Sequence, residues 1–192
     1  MKKWDAVTKF LHFCLAIAVS SQLLTSQIMT FPDKKATNDA LGKLFFEIHE
    51  YTGLAALLIV SLHFLWIFSY KSLHINAYFP WNSQGYASLR QDLEGLKSSR
   101  LPAGGPGSGG LVGLVHGLGL LGVLLAASLG GFIYLTLHQI AISHATQTLL
   151  IQAHQFVATC VLVFWFGHVG MAVFHYWKGD KTLFSIFSPK SD

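Results

Sequence analysis

Four long runs of apolar residues, separated by polar segments, organise this chain. They extend from Phe10 to about Met29, from Leu44 to Tyr70, from Leu111 to Leu137 and from Leu149 to Trp177. A helix that crosses the hydrocarbon core of a bilayer needs about 20 residues, and each run is long enough. The pattern therefore predicts an all-α integral membrane protein, a four-helix bundle that forms a single domain over residues 1–192.

The composition supports a membrane protein. Of the 192 residues, 52% are hydrophobic and 11% are charged, and the mean hydropathy is +0.48, whereas soluble proteins carry about 25% charged residues. No Lys, Arg, Asp or Glu lies between Arg100 and Lys178. The first run contains His12 and stays uncharged to Pro32. We therefore predict a retained helix there instead of a cleaved secretory signal, with a signal anchor as the alternative.

Basic residues fall mostly on one side of the predicted topology. Ten of the 13 lie at the termini or in the long loop 71–110, namely Lys2, Lys3, Lys9, Lys71, Arg90, Lys97, Arg100, Lys178, Lys181 and Lys190. Lys34, Lys35 and Lys43 lie on the other side, beside Asp33, Asp39 and Glu47. Since Lys and Arg are enriched on the cytoplasmic side, both termini are predicted to be cytoplasmic. This bias accounts for the formal charge of +4 and leaves no basic patch for a nucleic acid.

The predicted cytoplasmic loop 71–110 divides into two parts. A short amphipathic helix is predicted near Ser88 to Leu96, in a segment of interfacial character. Residues 101–110, LPAGGPGSGG, predict a flexible linker because Gly and Ser leave the backbone free. The linker lacks the Lys-Ser/Thr ending of a phosphate-binding loop, so we assign no chemistry to it.

Six of the ten histidines are predicted to lie at membrane depth. They are His12, His49, His63, His116, His154 and His168. An ionisable side chain is costly in lipid, so each is a candidate for function, although an interhelical hydrogen bond could explain any one alone. His154 and His168 are fourteen residues apart, almost four helical turns. Both therefore lie on one helix face, about 21 Å apart along its axis.

The predicted topology pairs these histidines by depth. The second and fourth runs cross from outside to inside, which brings His49 and His154 to one level. The first run crosses the other way, so His12 is level with His168. His63 lies fourteen residues after His49 and is also level with His168. Spacing alone leaves His12 and His63 as alternative partners there.

Paired imidazoles without a neighbouring carboxylate favour haem iron over zinc. Zinc usually takes four protein ligands that include Cys or a carboxylate, whereas a porphyrin supplies four of the six ligands of its iron. No Cys-x-x-Cys-His motif occurs, which excludes covalent c-type haem, and a Cys14–Cys160 disulfide is not expected at their different depths. We predict two b-type haems with bis-histidine ligation, which pass electrons because no iron position is open.

Several further residues are candidates for contact with such a cofactor. Gly53, one turn after His49, permits either close helix contact or the approach of a flat macrocycle. His175 lies two turns below His168 on the same face, where it could hold a haem propionate. The third run carries a ridge of small residues, for which helix packing is the default interpretation and a cofactor lying against the ridge is the alternative. They are Gly113, Gly117, Gly122, Ala126 and Gly130.

Three stretches resemble the bacterial cytochrome b561 and nickel–iron hydrogenase b-type cytochrome family. KFLHFCLAIAVSSQLLTS in the first run resembles the family's Arg-x-x-His-Trp opening and later Thr-Gly, with Lys9, Phe13 and Ser26 in place of Arg, Trp and Gly. HEYTG in the second run resembles His-Lys-Ser-x-Gly. HQFVATCVLVFWFGHVGMAVFHYW in the fourth resembles His-x13-His followed by a further His. The similarity covers all four runs and is weakest in the loop 71–110.

The resemblance implies a set of axial ligands. They are His12, His49, His154 and His168, which favours His12 over His63 for the inner haem. It also implies that His63 replaces a common arginine and contacts a haem propionate or a quinone. A quinone site is expected at the cytoplasmic leaflet, near His63, His116, His175 and Trp177.

The resemblance also implies electron transfer in the bacterial inner membrane, between the quinone pool and a redox partner. That partner would be a periplasmic dehydrogenase or hydrogenase, or the chain could act alone as a quinone-linked oxidoreductase. A transporter with a histidine proton relay is a second hypothesis, but such proteins usually carry embedded Asp or Glu, and none lies deep in these runs. A structural anchor subunit is a third, and it does not explain the matched depths.

Overall fold

The computed structural model describes residues 5–31, 39–69, 78–80, 82–98, 102, 109–179 and 186. Within these ranges the protein is all-α, without strands. Its five helices are α1 (Ala6–Thr25), α2 (Ala40–Ser69), α3 (Ser83–Lys97), α4 (Gly110–His138) and α5 (His144–Trp177). Helices α1, α2, α4 and α5 correspond to the four apolar runs. Helix α3 is the predicted amphipathic helix, and it begins five residues earlier than expected.

Three of the long helices begin four or five residues before their apolar runs, because a polar residue caps each of them. Asp5 Oδ1 accepts a hydrogen bond from Thr8 N at 2.8 Å before α1. Asp39 Oδ1 accepts from Gly42 N at 2.8 Å before α2, and Ser143 Oγ accepts from Thr146 N at 3.2 Å before α5. Such caps satisfy backbone N–H groups that have no partner inside the helix.

All four long helices are apolar and long enough to cross a membrane. Between 6% and 22% of the residues in their most apolar windows are buried inside the protein. Large apolar side chains such as Phe10, Leu58, Phe156 and Phe166 are exposed. Since water would make this exposure costly, these faces are suited to lipid.

The described chain divides into two compact units. The first contains Met1–Phe10, Leu62–Leu121 and Phe164–Asp192, and the second contains Leu11–Ser61 and Gly122–Val163. The predicted His49–His154 pair lies in the second unit. His63, His116 and His168 lie in the first unit, while His12 lies in the second.

The first unit is built around the start of α1. Asp5 caps α1 and also accepts a hydrogen bond from Trp66 Nε1 of α2, at 3.2 Å. Ile67 and Tyr78 form a buried cluster with Trp66, Phe79 and Leu120. A Cβ on Gly117 would lie 2.6 Å from the Tyr78 carbonyl oxygen, so only glycine fits there. Burial raises the pKa of Tyr78 to about 12, and the negative charge of Asp5 acts in the same direction.

In the second unit, α2 contacts α1, α4 and the segment after α1. Val60 and Ala56 of α2 are fully buried, and a Cβ on Gly131 of α4 would lie 3.3 Å from Leu57. His138, in the last turn of α4, has its Nε2 3.1 Å from Glu50 Oε1 of α2. These contacts hold the part of α2 that carries His49.

Candidate functional site

His49 of α2 and His154 of α5 come together in the second unit. Their ring centroids are 6.3 Å apart and their planes are nearly perpendicular, at 88°. A metal–imidazole bond is about 2 Å long and the ring centre lies roughly 1 Å behind the bonded nitrogen, so two imidazoles on opposite sides of one ion have centroids roughly 6 Å apart. The separation therefore fits two axial ligands of one iron.

A hydrogen bond from α1 fixes the tautomer of His49. The Thr25 hydroxyl is 3.0 Å from His49 Nδ1 and donates its own proton to the Ser21 carbonyl, at 2.8 Å. The hydroxyl must then accept from Nδ1–H, which leaves the lone pair of Nε2 free to bind a metal. Thr25 is only 4% exposed, so water does not compete for this bond.

A glutamine of α1 supports the same histidine from the backbone side. Gln22 Nε2 donates to the His49 carbonyl at 2.8 Å and also contacts the Thr52 hydroxyl. Gly53 lies beside this glutamine, since a Cβ on Gly53 would be 3.3 Å from Gln22 Oε1. Gly53 thus permits close contact between α1 and α2, and its approach to a macrocycle stays a prediction.

His154 is held in an equivalent way by α4. Its Nδ1 lies 3.0 Å from the Ala126 carbonyl oxygen, which can only accept, so Nδ1 carries the proton and Nε2 is free. A Cβ on Gly130 would lie 3.2 Å from His154 Cε1. The small residues of α4 therefore make room for this ring. Metal-binding histidines typically donate their second nitrogen to a carbonyl or a similar group, as His49 and His154 both do.

His168 has different neighbours in the first unit. Its ring meets His116 of α4 edge to face, with centroids 4.9 Å apart, and stacks on Phe164 at 5.4 Å. Phe164 in turn packs against Gly119, where a Cβ would overlap the ring. The 4.9 Å separation is shorter than the roughly 6 Å of two ligands across one ion. This is a ring contact that the sequence did not predict.

His63 is the buried polar group that the described contacts do not satisfy. It is 4% exposed, and its Nδ1 has no hydrogen-bond partner in the described part of the chain. A buried polar group left in this state costs about 1–3 kcal/mol. The Nδ1 atoms of His49, His154 and His116 all have a hydrogen-bond partner, which for His116 is the Val112 carbonyl oxygen at 2.7 Å. The Nδ1 of His63 differs from them in this respect among the described residues.

The remaining predicted site residues lie in α1 and in the last turn of α5. His12 is half-buried in α1, and its pairing with His168 stays a prediction. His175 is half-buried in the last turn of α5, and Trp177 is exposed at its end. His74 lies outside the described residues, as do Lys2, Lys3, Lys34, Lys35, Lys71, Arg100, Lys181, Lys190 and most of the linker 101–110.

Among the described residues, no group of three or more His, Cys, Asp or Glu side chains could hold a metal ion. Protein atoms alone therefore do not complete a tetrahedral centre there. A pair of imidazoles suits a group that brings its own equatorial nitrogens. Haem does so, and the residues around His49 and His154 fit it.

The Thr25→Val variant tests how the His49 ring is held. Valine has a similar shape but leaves Nδ1–H of His49 without an acceptor, so we expect haem affinity at this site to fall by about 10–100-fold. Transfer of haem to excess apomyoglobin measures the change. Thr25→Ser keeps the hydroxyl and should behave like the unchanged protein. Equal haem loss in both variants would contradict the proposed hydrogen bond.

Four long apolar helices, two of which bring His49 and His154 together, define a helical membrane protein. A model of the prokaryotic cytochrome b561 family matches residues 3–189, nearly the whole chain, and the protein belongs to that family. The resemblance in the sequence is thereby confirmed. Searches of curated proteins and of solved structures gave no match. The chain is a bacterial multi-pass membrane protein of a family that binds b-type haem and transfers electrons.

Proposed function

We propose that this protein carries electrons across the bacterial inner membrane through two b-type haems. His49 and His154 hold one haem, and His12 and His168 hold the other. The observation that carries the proposal is the His49–His154 pair, whose 6.3 Å separation suits one iron. With its axial positions filled by imidazoles, haem iron exchanges single electrons and does not activate substrates.

The residues around each histidine perform distinct tasks. Thr25 and the Ala126 carbonyl keep the protons of His49 and His154 on Nδ1, which leaves both Nε2 atoms unprotonated and able to bind a metal as neutral ligands. Gly130 gives the His154 ring its space. At the second haem, His63 supplies a buried Nδ1 that lacks a hydrogen-bond partner among the described residues and is available to a propionate or a quinone. His175 supports a propionate from the end of α5.

The electron route joins the quinone pool to a redox partner. The family supports such an exchange, and His63, His116 and His175 are the residues we place at the quinone end. The partner on the other side is a periplasmic or membrane-bound dehydrogenase or hydrogenase subunit. In the alternative, the chain acts without a partner subunit, as a quinone-linked oxidoreductase that uses the same site.

The purified protein in lipid nanodiscs tests both parts of this proposal. A pyridine haemochrome assay should give two haems per chain, and a soluble quinol should reduce them as completely as dithionite does. Protein without haem, from cells with ample haem, would contradict the haem sites. Haem that dithionite reduces and quinol does not would contradict the quinone link alone.

A further inference from the structure

Helix α3 carries an exposed apolar stripe that its contacts inside the protein do not explain. None of its residues is buried, and Tyr86 and Leu93 are 68% and 46% exposed. At 3.6 residues per turn, these two side chains, Leu89 and Leu96 fall within an arc of about 80° on the helix surface. A stripe of this kind on a stable helix indicates contact with something other than water.

The structure fixes α3 to the beginning of a membrane span. Asp92 Oδ2 accepts a hydrogen bond from Leu111 N, at 2.8 Å, and so caps the first turn of α4. Ser88 lies on the same side of α3, where its Oγ would be 2.9 Å from a Cβ on Gly110. The start of α3 is capped by Asn82, whose Oδ1 accepts from Gly85 N at 2.7 Å. At its end, Ser98 N donates to the Gly95 carbonyl at 2.9 Å.

The cap also sets the level of α3 relative to the bilayer. Helix α4 has 29 residues and no charged side chain, which corresponds to a length of about 43 Å, more than the roughly 30 Å of the hydrocarbon core. Its first turn therefore falls in the headgroup region. Since Asp92 contacts that turn, α3 lies at the same level.

The charges of α3 are arranged to suit a lipid surface. Arg90 and Lys97 lie on the edge of the apolar stripe that faces away from α4, within about 60° of Leu93. Arg90 is bonded to Glu94 through Nε, at 2.8 Å, yet its side chain remains 76% exposed. Basic side chains beside an apolar stripe can extend to lipid phosphates while their stems stay near the acyl chains.

We propose that α3 is a membrane-surface helix, with Tyr86, Leu89, Leu93 and Leu96 inserted at the boundary between headgroups and acyl chains. Helices with a strong apolar face and flanking basic residues insert about 5–10 Å in this way. A second copy of the chain would cover this apolar stripe less well than lipid does. Four side chains on a 15-residue helix cover far less than the roughly 800 Å² per partner of a stable protein interface.

The test uses nitroxide spin labels on single cysteines in the haem-loaded protein in nanodiscs of zwitterionic and anionic phospholipids. The native free cysteines, Cys14 and Cys160, are first replaced by serine. Leu93→Cys and Leu96→Cys report on the stripe, and Gln84→Cys and Gln91→Cys on the polar face are matched controls. Haem content checks that each variant folds.

The labels at the two stripe positions should be more accessible to oxygen, which dissolves in lipid, than to a water-soluble nickel chelate. We expect the ratio of the two accessibilities to exceed that of the two control positions by roughly threefold or more. Equal ratios at all four positions would overturn the proposal. Dipolar broadening at Leu93→Cys that disappears in nanodiscs holding one chain would also overturn it, in favour of a second copy.

Discussion

We expect the His154→Ala variant to bind one haem instead of the two proposed for the unchanged protein. Alanine removes the imidazole of His154 and leaves that of His49 alone, and a single imidazole cannot fill both axial positions of a haem iron. His168 lies on the same helix and is unchanged, so the second haem should remain. A pyridine haemochrome assay, with protein concentration from amino-acid analysis, measures the ratio. Two haems in different surroundings should split the α band of the unchanged protein, and the variant should show a single band.

His144→Ala is the matched control for this experiment. His144 is also a histidine of α5, but it is exposed in the first turn, so its loss should leave two haems. Retention of two haems by the His154→Ala variant would contradict the ligand assignment. Loss of both haems with unchanged circular dichroism would instead indicate that the two sites are not independent.

The second large expected effect is the loss of one haem when the second ligand of the proposed His168 haem is removed. The His12→Ala variant is expected to lose the haem at His168 and to keep the one at His49 and His154. The His63→Ala variant is expected to keep both haems. Within the part of the chain that the structure describes, the Nδ1 of His63 has no carbonyl partner, whereas a histidine ligand usually has one. Redox titration followed at the α band separates the two haems and shows which one is missing.

The reverse outcome would show that the second ligand comes from α2 and not from α1. If the His63→Ala variant loses the haem while the His12→Ala variant keeps it, the iron would be held by His63 and His168. His116→Ala completes the set, because His116 lies against His168 with centroids 4.9 Å apart. We expect it to retain both haems, since that separation suits a ring contact better than two ligands of one iron.

The four long helices followed directly from the sequence, because a bilayer imposes a minimum length on an apolar run. The residues at which three of these helices begin did not follow from it. Asp5, Asp39 and Ser143 extend three helices beyond the apolar runs by capping them, and a cap is a local hydrogen bond that hydropathy does not register. Helix α3 was predicted from its alternating polar and apolar faces, but its attachment to α4 through Asp92 was not.

The sequence predicted that His49 and His154 lie close together, but it did not predict the contacts that hold their rings. His49 and His154 could be paired because topology sets depth, and depth follows from residue count. Thr25 and Ala126 could not be assigned in this way, since their contacts with the two histidines depend on how each helix is rotated about its axis. The contact between His116 and His168 could not be predicted from the sequence for the same reason. Rotation is set by packing, which four similar apolar sequences specify only weakly.

The end of α1 has an electrical consequence for the His49 site. Thr25, whose hydroxyl accepts from His49, is the last residue of α1, and the carboxyl end of a helix carries a partial negative charge of about half an electron. Under the proposed ligation, that charge would favour the oxidised form of an iron held by His49, which carries one more positive charge than the reduced form. At about 0.3–1 kcal/mol it would lower the reduction potential of that haem by roughly 10–40 mV. The helix that orients His49 would therefore also make this haem a slightly better electron donor.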